Sequence, residues 1–274
     1  MLKTTLAKRF LLFSLIFLLS LSLYSIRTAS AEKVGVVLLH EKNGSPAAPH
    51  LKGIISAMQG AGFIVIAPEM PYSKTRLYDK SYADTLTEID SYVAQLKQKG
   101  ATKVFIAGHS LGANVAIGYA AKTSVDGIVA IAPGHTPEQA GFQSYVGESV
   151  NRARQMVNDG KESANSRFTD SNQGRTYTIM TTAGIYLSWF APEGPAVIPL
   201  NAQSIKPETA FMWVVGTQDK MYQKGQSYAF DKAPSNKCNK YLVVNSDHMN
   251  TPQDASADII KWIREATQCV SSAH

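Results

Sequence analysis

Apolar positions along this chain follow two alternating rhythms. Val34–Leu39, Phe63–Ala67, Val104–Gly108, Gly127–Ala132, Phe211–Gly216 and Tyr241–Asn245 are short, continuous apolar runs rich in β-branched residues. Strands covered by helices on both faces have this pattern. Between most of these runs the period lengthens. The clearest case has Tyr82, Leu86, Ile89, Val93 and Leu96 at helical spacing, Ser81 and Asp84 placed as an N-terminal capping pair, and Gly100 just past the end. The alternation predicts βαβ units, and so an α/β fold with a mostly parallel, doubly wound sheet.

One stretch departs from the rhythm. From Gly134 to about Pro207 no strand is predicted, and amphipathic pieces stand out at Tyr145–Val157 and Ala183–Phe190. An insertion of that length is too long for a passive loop and predicts a helical cap over one end of the sheet. Within it Tyr186, Trp189 and Phe190, with Met156 and Met180, are candidates for an apolar acyl pocket. The alternative role for each is to glue the cap to the body.

Length and composition narrow the class. At 274 residues and 45% apolar content the chain suits one large domain, and collagen, coiled coil and disorder are excluded. Its net charge of +6 raises the question of a nucleic-acid partner. Lys3, Lys8, Arg9 and Arg27, however, flank an apolar run from Phe10 to Tyr24 that is short for a bilayer span, and Ala29-Ser30-Ala31 follows. This predicts a cleaved secretory signal over residues 1–31, a mature domain over 32–274, and a periplasmic or extracellular destination. Contact with a membrane is then only transient. The mature part keeps 23 basic and 21 acidic side chains, so the argument for nucleic acid falls away. Cys238 and Cys269 both lie in that part, where an oxidising compartment permits a disulfide.

Candidate chemistry centres on Gly108-His109-Ser110-Leu111-Gly112, a GxSxG pentapeptide. A chain this long shows one by chance about once in ten, so context has to decide. Here an apolar strand, Lys103–Ala107, feeds the turn, and a small-residue helix, Leu111–Ala121, leaves it. A serine hydroxyl needs a base to take its proton, and the base needs a carboxylate to hold its tautomer. Asp219 follows the strand ending at Gly216, and His248 lies between the last strand and the last helix. Of the other histidines, His109 is expected to point away from Ser110 and His40 to make structural hydrogen bonds. Asp247, Asp170 and Asp126 are weaker candidates for the acid.

Together these residues resemble the α/β-hydrolase superfamily over essentially the whole mature chain. Glu32–His40 is similar to the strand leading into that family's oxyanion loop, Gly108–Gly112 to its nucleophile elbow, and Gly216–Asp219 to its acid turn. The resemblance implies Ser110 as nucleophile, His248 as general base and acid, and Asp219 as the orienting carboxylate. The Leu111 amide is implied as one oxyanion donor. The second is left between Glu41 and Lys42, because His40-Glu41-Lys42 departs from the family's usual His-Gly pair. His40-Glu41 is also similar to the dienelactone-hydrolase branch, in which a glutamate of this loop joins the site; that branch typically uses a cysteine, whereas position 110 is serine.

In such a fold Cys238, before the last strand, and Cys269, at the end of a helix from about Pro252 to Ala266, meet at the end of the sheet opposite the triad. A disulfide is therefore expected, stabilising by about 3 kcal/mol on the loop-entropy model. The expected function is hydrolysis of a small carboxylic ester or thioester through an acyl-enzyme. No HExxH, paired CxxC or phosphate loop calls for a metal or cofactor. A peptidase or amidase, an acyltransferase, and a non-catalytic binding scaffold remain open on the same residues.

Overall fold

The computed structural model describes residues 32–271, so the signal segment expected over residues 1–31 lies outside the described residues. The chain runs β1 (Val34–Leu39), α1 (Pro49–Gly60), β2 (Ile64–Ile66), α2 (Tyr82–Gln98), β3 (Lys103–His109), α3 (Leu111–Lys122) and β4 (Gly127–Ile131). It continues as α4 (Ala140–Asn158), β5 (Asn165–Asn172), β6 (Arg175–Thr182), α5 (Ala183–Phe190) and α6 (Ile198–Gln203). Last come β7 (Ala210–Gly216), α7 (Gly225–Tyr228), β8 (Lys240–Val244), α8 (Thr251–Asp254) and α9 (Ser256–Ser271). Among the described residues no helix is long and apolar enough to cross a membrane.

The six predicted strands form one parallel sheet in the order β2-β1-β3-β4-β7-β8. In the four central strands the continuous apolar character has the expected cause, alternate residues serving two separate cores, whereas the edge strands β2 and β8 are only partly covered. Val36 and Leu38 of β1 pack on one face with Leu51, Ile54 and Met58 of α1 and Ile259, Trp262 and Ile263 of α9. Val37 and Leu39 serve the other face with Leu86 and Ile89 of α2 and the buried side of α3. Ser81 caps α2 as predicted, its Oγ accepting from the Asp84 amide at 3.1 Å. All residues of α3 from Leu111 to Ala120 are buried, which its alanines and glycines permit by letting the helix lie close to the sheet.

The chain travels outward from β1 to β2, then returns across β1 to β3. Loops leaving β1 and β3 therefore diverge at the carboxyl ends of adjacent strands, and an open α/β sheet places its crevice at such a reversal. The insertion between β4 and β7 lies against this crevice. It was expected to be helical, and it also holds an antiparallel hairpin, β5–β6, paired from Asn165↔Thr182 to Asn172↔Arg175. Gln173 (φ 52°) and Gly174 (φ 81°) make its two-residue turn, with both residues in the region hairpin turns favour. The two-residue period is hidden in the sequence because Asp170, Ser171 and Thr181 share the buried positions with Phe168 and Ile179.

Aromatic packing fastens the insertion to the body. Tyr186 stacks between Phe168 and Phe190 at 4.4 and 4.3 Å, and Trp189 meets the edges of Tyr72, Tyr78 and Tyr82. The polar tips of Tyr186 and Trp189 are satisfied: Tyr186 Oη donates to the Thr169 carbonyl at 2.6 Å and Trp189 Nε1 to that of Lys80 at 2.9 Å. At the amino end of the sheet Cys238 and Cys269 form a disulfide with Cα atoms 6.2 Å apart, and Trp262 Nε1 donates to the Cys238 carbonyl at 2.9 Å. The helix expected from Pro252 is two helices, α8 and α9.

Candidate active site

Ser110 sits between β3 and α3 at φ 55°, ψ −113°, a conformation that costs a non-glycine residue of order 1–3 kcal/mol and persists only when its surroundings enforce it. The surroundings here are two close backbone approaches. A Cβ on Gly108 would lie 2.1 Å from the Gly112 carbonyl oxygen, and one on Gly112 would lie 2.5 Å from that of Leu39. Both glycines of the pentapeptide are thus packing requirements. They let the chain reverse tightly enough to put Ser110 at the crevice.

His248 and Asp219 reach the same point from the ends of β8 and β7. His248 Nε2 lies 3.1 Å from Ser110 Oγ, and His248 Nδ1 lies 2.5 Å from Asp219 Oδ2. Asp219 Oδ1 accepts from the Met221 amide at 2.7 Å. A carboxylate only accepts, so the ring proton sits on Nδ1 and the Nε2 lone pair faces the serine hydroxyl. Burial acts to raise the Asp219 pKa, but the hydrogen bond and charge of His248 outweigh it and hold the group below its ordinary value. Asp247 has a different role. Its carboxylate accepts from the amides of Met249 and Asn250 at 2.9 and 2.8 Å and from the Asn250 side chain at 2.9 Å, shaping the loop that carries His248.

The histidines near the site divide as the sequence suggested. His40 Nδ1 donates to the Glu41 carbonyl at 2.7 Å while its Nε2 accepts from the Met70 amide at 3.0 Å. His109 is buried and turned from the serine, its Nε2 donating to the His248 carbonyl at 2.8 Å. Of the two oxyanion-loop candidates, Lys42 lines the cleft together with Ser110 and Leu111. Glu41 directs its carboxylate toward His50 of α1, at 2.9 Å.

Lys42 also ties the loop to the insertion. Its Nζ lies 2.5 Å from Asp170 Oδ1 and donates to the Ser171 carbonyl at 2.9 Å, between the rings of Phe142 and Phe190 at 5.3 Å each. Asp170, fully buried, accepts as well from Tyr78 and Tyr177 hydroxyls at 3.1 and 2.7 Å and from the Ser171 amide at 2.6 Å. Asp170 is thus a cross-link between β5 and the β1 loop. Burial lowers the Lys42 pKa, and Asp170 works against that fall.

A cleft of about 320 Å³ opens over Ser110. Its walls mix apolar and polar groups: Phe142 and Tyr145 of α4, Asn172–Gly174 of the hairpin turn, and Gln218, Lys220 and Lys224 beyond β7. Tyr186, Trp189 and Phe190, expected as pocket walls, are fully buried among the aromatic contacts described above and do not line it. Hairpin-turn and β7-side residues were missed by the sequence reading; Gln173-Gly174 before the alternating Arg175–Thr182 was the available signal. His135 lies in the floor with φ 64°. Its Nε2 donates to the Trp189 carbonyl at 2.7 Å, which leaves Nδ1 without a partner.

Residues 36–261 match the family model described as Alpha/beta hydrolase family. The chain belongs to the alpha/beta hydrolase family. Solved relatives share this fold at low identity. Est1E from Butyrivibrio proteoclasticus, solved with ferulic acid bound, is 13% identical with a TM-score of 0.59, covering 86% of this chain and 90% of its own. A Paleococcus ferrophilus monoacylglycerol lipase is 20% identical with a TM-score of 0.59, covering 85% and 94%. The Pyrococcus furiosus esterase PF2001 is 16% identical with a TM-score of 0.55, covering 87% and 82%. No curated protein matches the chain. At these identities the hydrolase fold is what is shared.

Proposed function

We propose that this alpha/beta hydrolase is an exported serine hydrolase that cleaves small carboxylic esters or thioesters through an acyl-enzyme. The observation that carries the reading is the continuous path from Ser110 Oγ to His248 at 3.1 Å and on to Asp219 at 2.5 Å. In the reaction His248 Nε2 takes the hydroxyl proton as Ser110 Oγ attacks the substrate carbonyl carbon. Amides of Leu111 and Lys42 donate to the resulting oxyanion. The imidazolium, stabilised by Asp219, then protonates the leaving alcohol or thiol, and water releases the acyl group by the reverse sequence.

Mixed polarity in the cleft favours a short acyl group or one bearing polar substituents over a long alkyl chain. The sequence-based idea of an aromatic acyl pocket moves accordingly to Phe142 and Tyr145, with the hairpin turn opposite. The disulfide between Cys238 and Cys269 supports an oxidising compartment. Labelling of the mature protein with a fluorophosphonate probe tests the nucleophile. Wild type is expected to label and Ser110→Ala not to. Hydrolysis of aryl esters of graded acyl length then reports the cleft's depth, and an optimum at long chains would contradict the substrate assignment. A folded wild type that does not label would return the chain to the binding-scaffold reading.

A further inference from the structure

Next to His248, three side chains converge from three separate elements: Glu41 from the loop after β1, His50 from α1 and His109 from the end of β3. One ligand atom from each lies within 4.8 Å of the others. Glu41 Oε2 is 2.9 Å from His50 Nε2 and 3.7 Å from His109 Nδ1. We propose that these residues form a binding site for one divalent d-block cation of the zinc type.

Donor chemistry comes first. Two imidazoles and a carboxylate suit a borderline divalent metal and leave a fourth position for water. Spacing agrees: a tetrahedral ion with bonds of about 2.0–2.1 Å holds its donors about 3.3 Å apart, between the two distances seen here. The tautomer of His109 is the independent observation. The His248 carbonyl only accepts, so the proton of His109 is on Nε2, which donates to it at 2.8 Å. Nδ1 is consequently a bare lone pair, buried, with no hydrogen-bond partner, and it faces a carboxylate oxygen. Two electron-rich atoms pointed at each other in a buried site are satisfied by a cation between them. Metal-bound histidines commonly donate their second ring nitrogen to a backbone carbonyl, as His109 does here.

Access and reorganisation are modest. Glu41 and His50 are 13% and 15% exposed, so an ion has a route from solvent. His50 shifts its proton from Nε2 to Nδ1, and Glu41 exchanges that hydrogen bond for the metal. The His109 and His248 rings are 5.2 Å apart, so an ion here would stiffen the loop carrying the proposed general base.

The test uses tag-free, metal-free mature protein titrated with Co(II), followed by its d–d absorption, with Zn(II) as competitor. One tetrahedral Co(II) per chain is expected, displaced by Zn(II). His50→Gln keeps a donor toward Glu41 but supplies a poor ligand, and is expected to weaken binding roughly tenfold or more. Zn(II) is expected to raise the Tm of wild type and not of this variant. If His50→Gln does not match the circular dichroism of wild type, Glu41→Gln is read in the same way. Absence of stoichiometric Co(II) binding, an octahedral spectrum, or an affinity unchanged in the folded variant would each overturn the site. None of these readouts depends on hydrolysis, so they stand apart from the test of Ser110.

Discussion

The sheet's carboxyl end and the insertion that covers it build their parts of the cleft by different means. On the sheet side, Ser110, Asp219 and His248 each stand one to four residues beyond a strand of the parallel sheet, and backbone geometry fixes them: a strained φ at Ser110, an amide on Asp219, an Asp247-organised loop at His248. The insertion places its wall through side-chain packing, a stack of aromatic rings and one buried ion pair reaching back to Lys42. Changes on the sheet side should therefore reduce turnover with little loss of stability, and changes at the insertion's anchor should act first on stability and on turnover only through Lys42.

The largest expected effect is Asp219→Asn. An amide nitrogen facing Nδ1 would favour the tautomer with its proton on Nε2, which no longer accepts from Ser110. A loss of about 10⁴-fold in kcat is expected, with an urea midpoint close to wild type. An unfolded or strongly destabilised variant would show that Asp219 supports the fold and would break the contrast.

Asp170→Ala probes the other side. It strands the buried Lys42 ammonium, and removing one partner of a buried ion pair costs about 3–5 kcal/mol. The measurement is urea unfolding, with Lys42→Met, Asp170→Leu as the paired control that removes both charges. The double variant is expected to recover much of the loss. Because Lys42 is also a proposed oxyanion donor through its amide, the single variant should lower kcat as well, which sharpens how far the insertion positions the chemistry. Reduction of Cys238–Cys269, at the far end of the sheet, is expected to cost about 3 kcal/mol and to leave kcat unchanged below the unfolding transition. A fall in kcat there would show that the two ends of the sheet are coupled.

The same contrast explains what was legible in the sequence. Strand–glycine–serine–glycine–helix is a local pattern that marks Ser110, and Asp219 and His248 each follow closely on an apolar run; the resemblance to the alpha/beta hydrolases then implied a role for each of the three. The disulfide followed once the last strand and last helix were taken as antiparallel. The hairpin did not, because its buried positions are filled by Asp170, Ser171 and Thr181, and the body-side partners that make this burial possible are far along the chain: Tyr78 and Lys42, 92 and 128 residues from Asp170, and the Tyr78 carbonyl, 103 residues from Thr181. Tyr186, Trp189 and Phe190 had the right composition for a pocket, yet the same rings serve equally as core, and only the packing distinguishes the two. Glu41, His50 and His109 form no motif either. Nine and fifty-nine residues separate them along the chain, and the reversal of the strand order brings them together.

The smallest predicted effect bears on the seam between the two regions. His135 lies where β4 enters the insertion, donating through Nε2 to the Trp189 carbonyl of α5 and close enough to Lys42 to feel its charge. Burial first, and Lys42 second, push its pKa well below the ordinary value of 6.5. The folded protein thus keeps this ring neutral while the unfolded chain protonates it. Its contribution to stability is fully present above pH 6.5 and is lost as pH falls below that value toward the folded pKa. At pH 5.5 the loss relative to pH 7.5 is on the order of 1 kcal/mol. His135→Gln retains a donor for the Trp189 carbonyl but does not titrate, so its stability should fall less over the same interval, by that amount. Urea unfolding of both proteins at the two pH values measures the difference. Equal slopes would mean that the seam opens enough for His135 to protonate in the folded state, and the insertion would then be held by its aromatic stack and the Lys42–Asp170 pair alone.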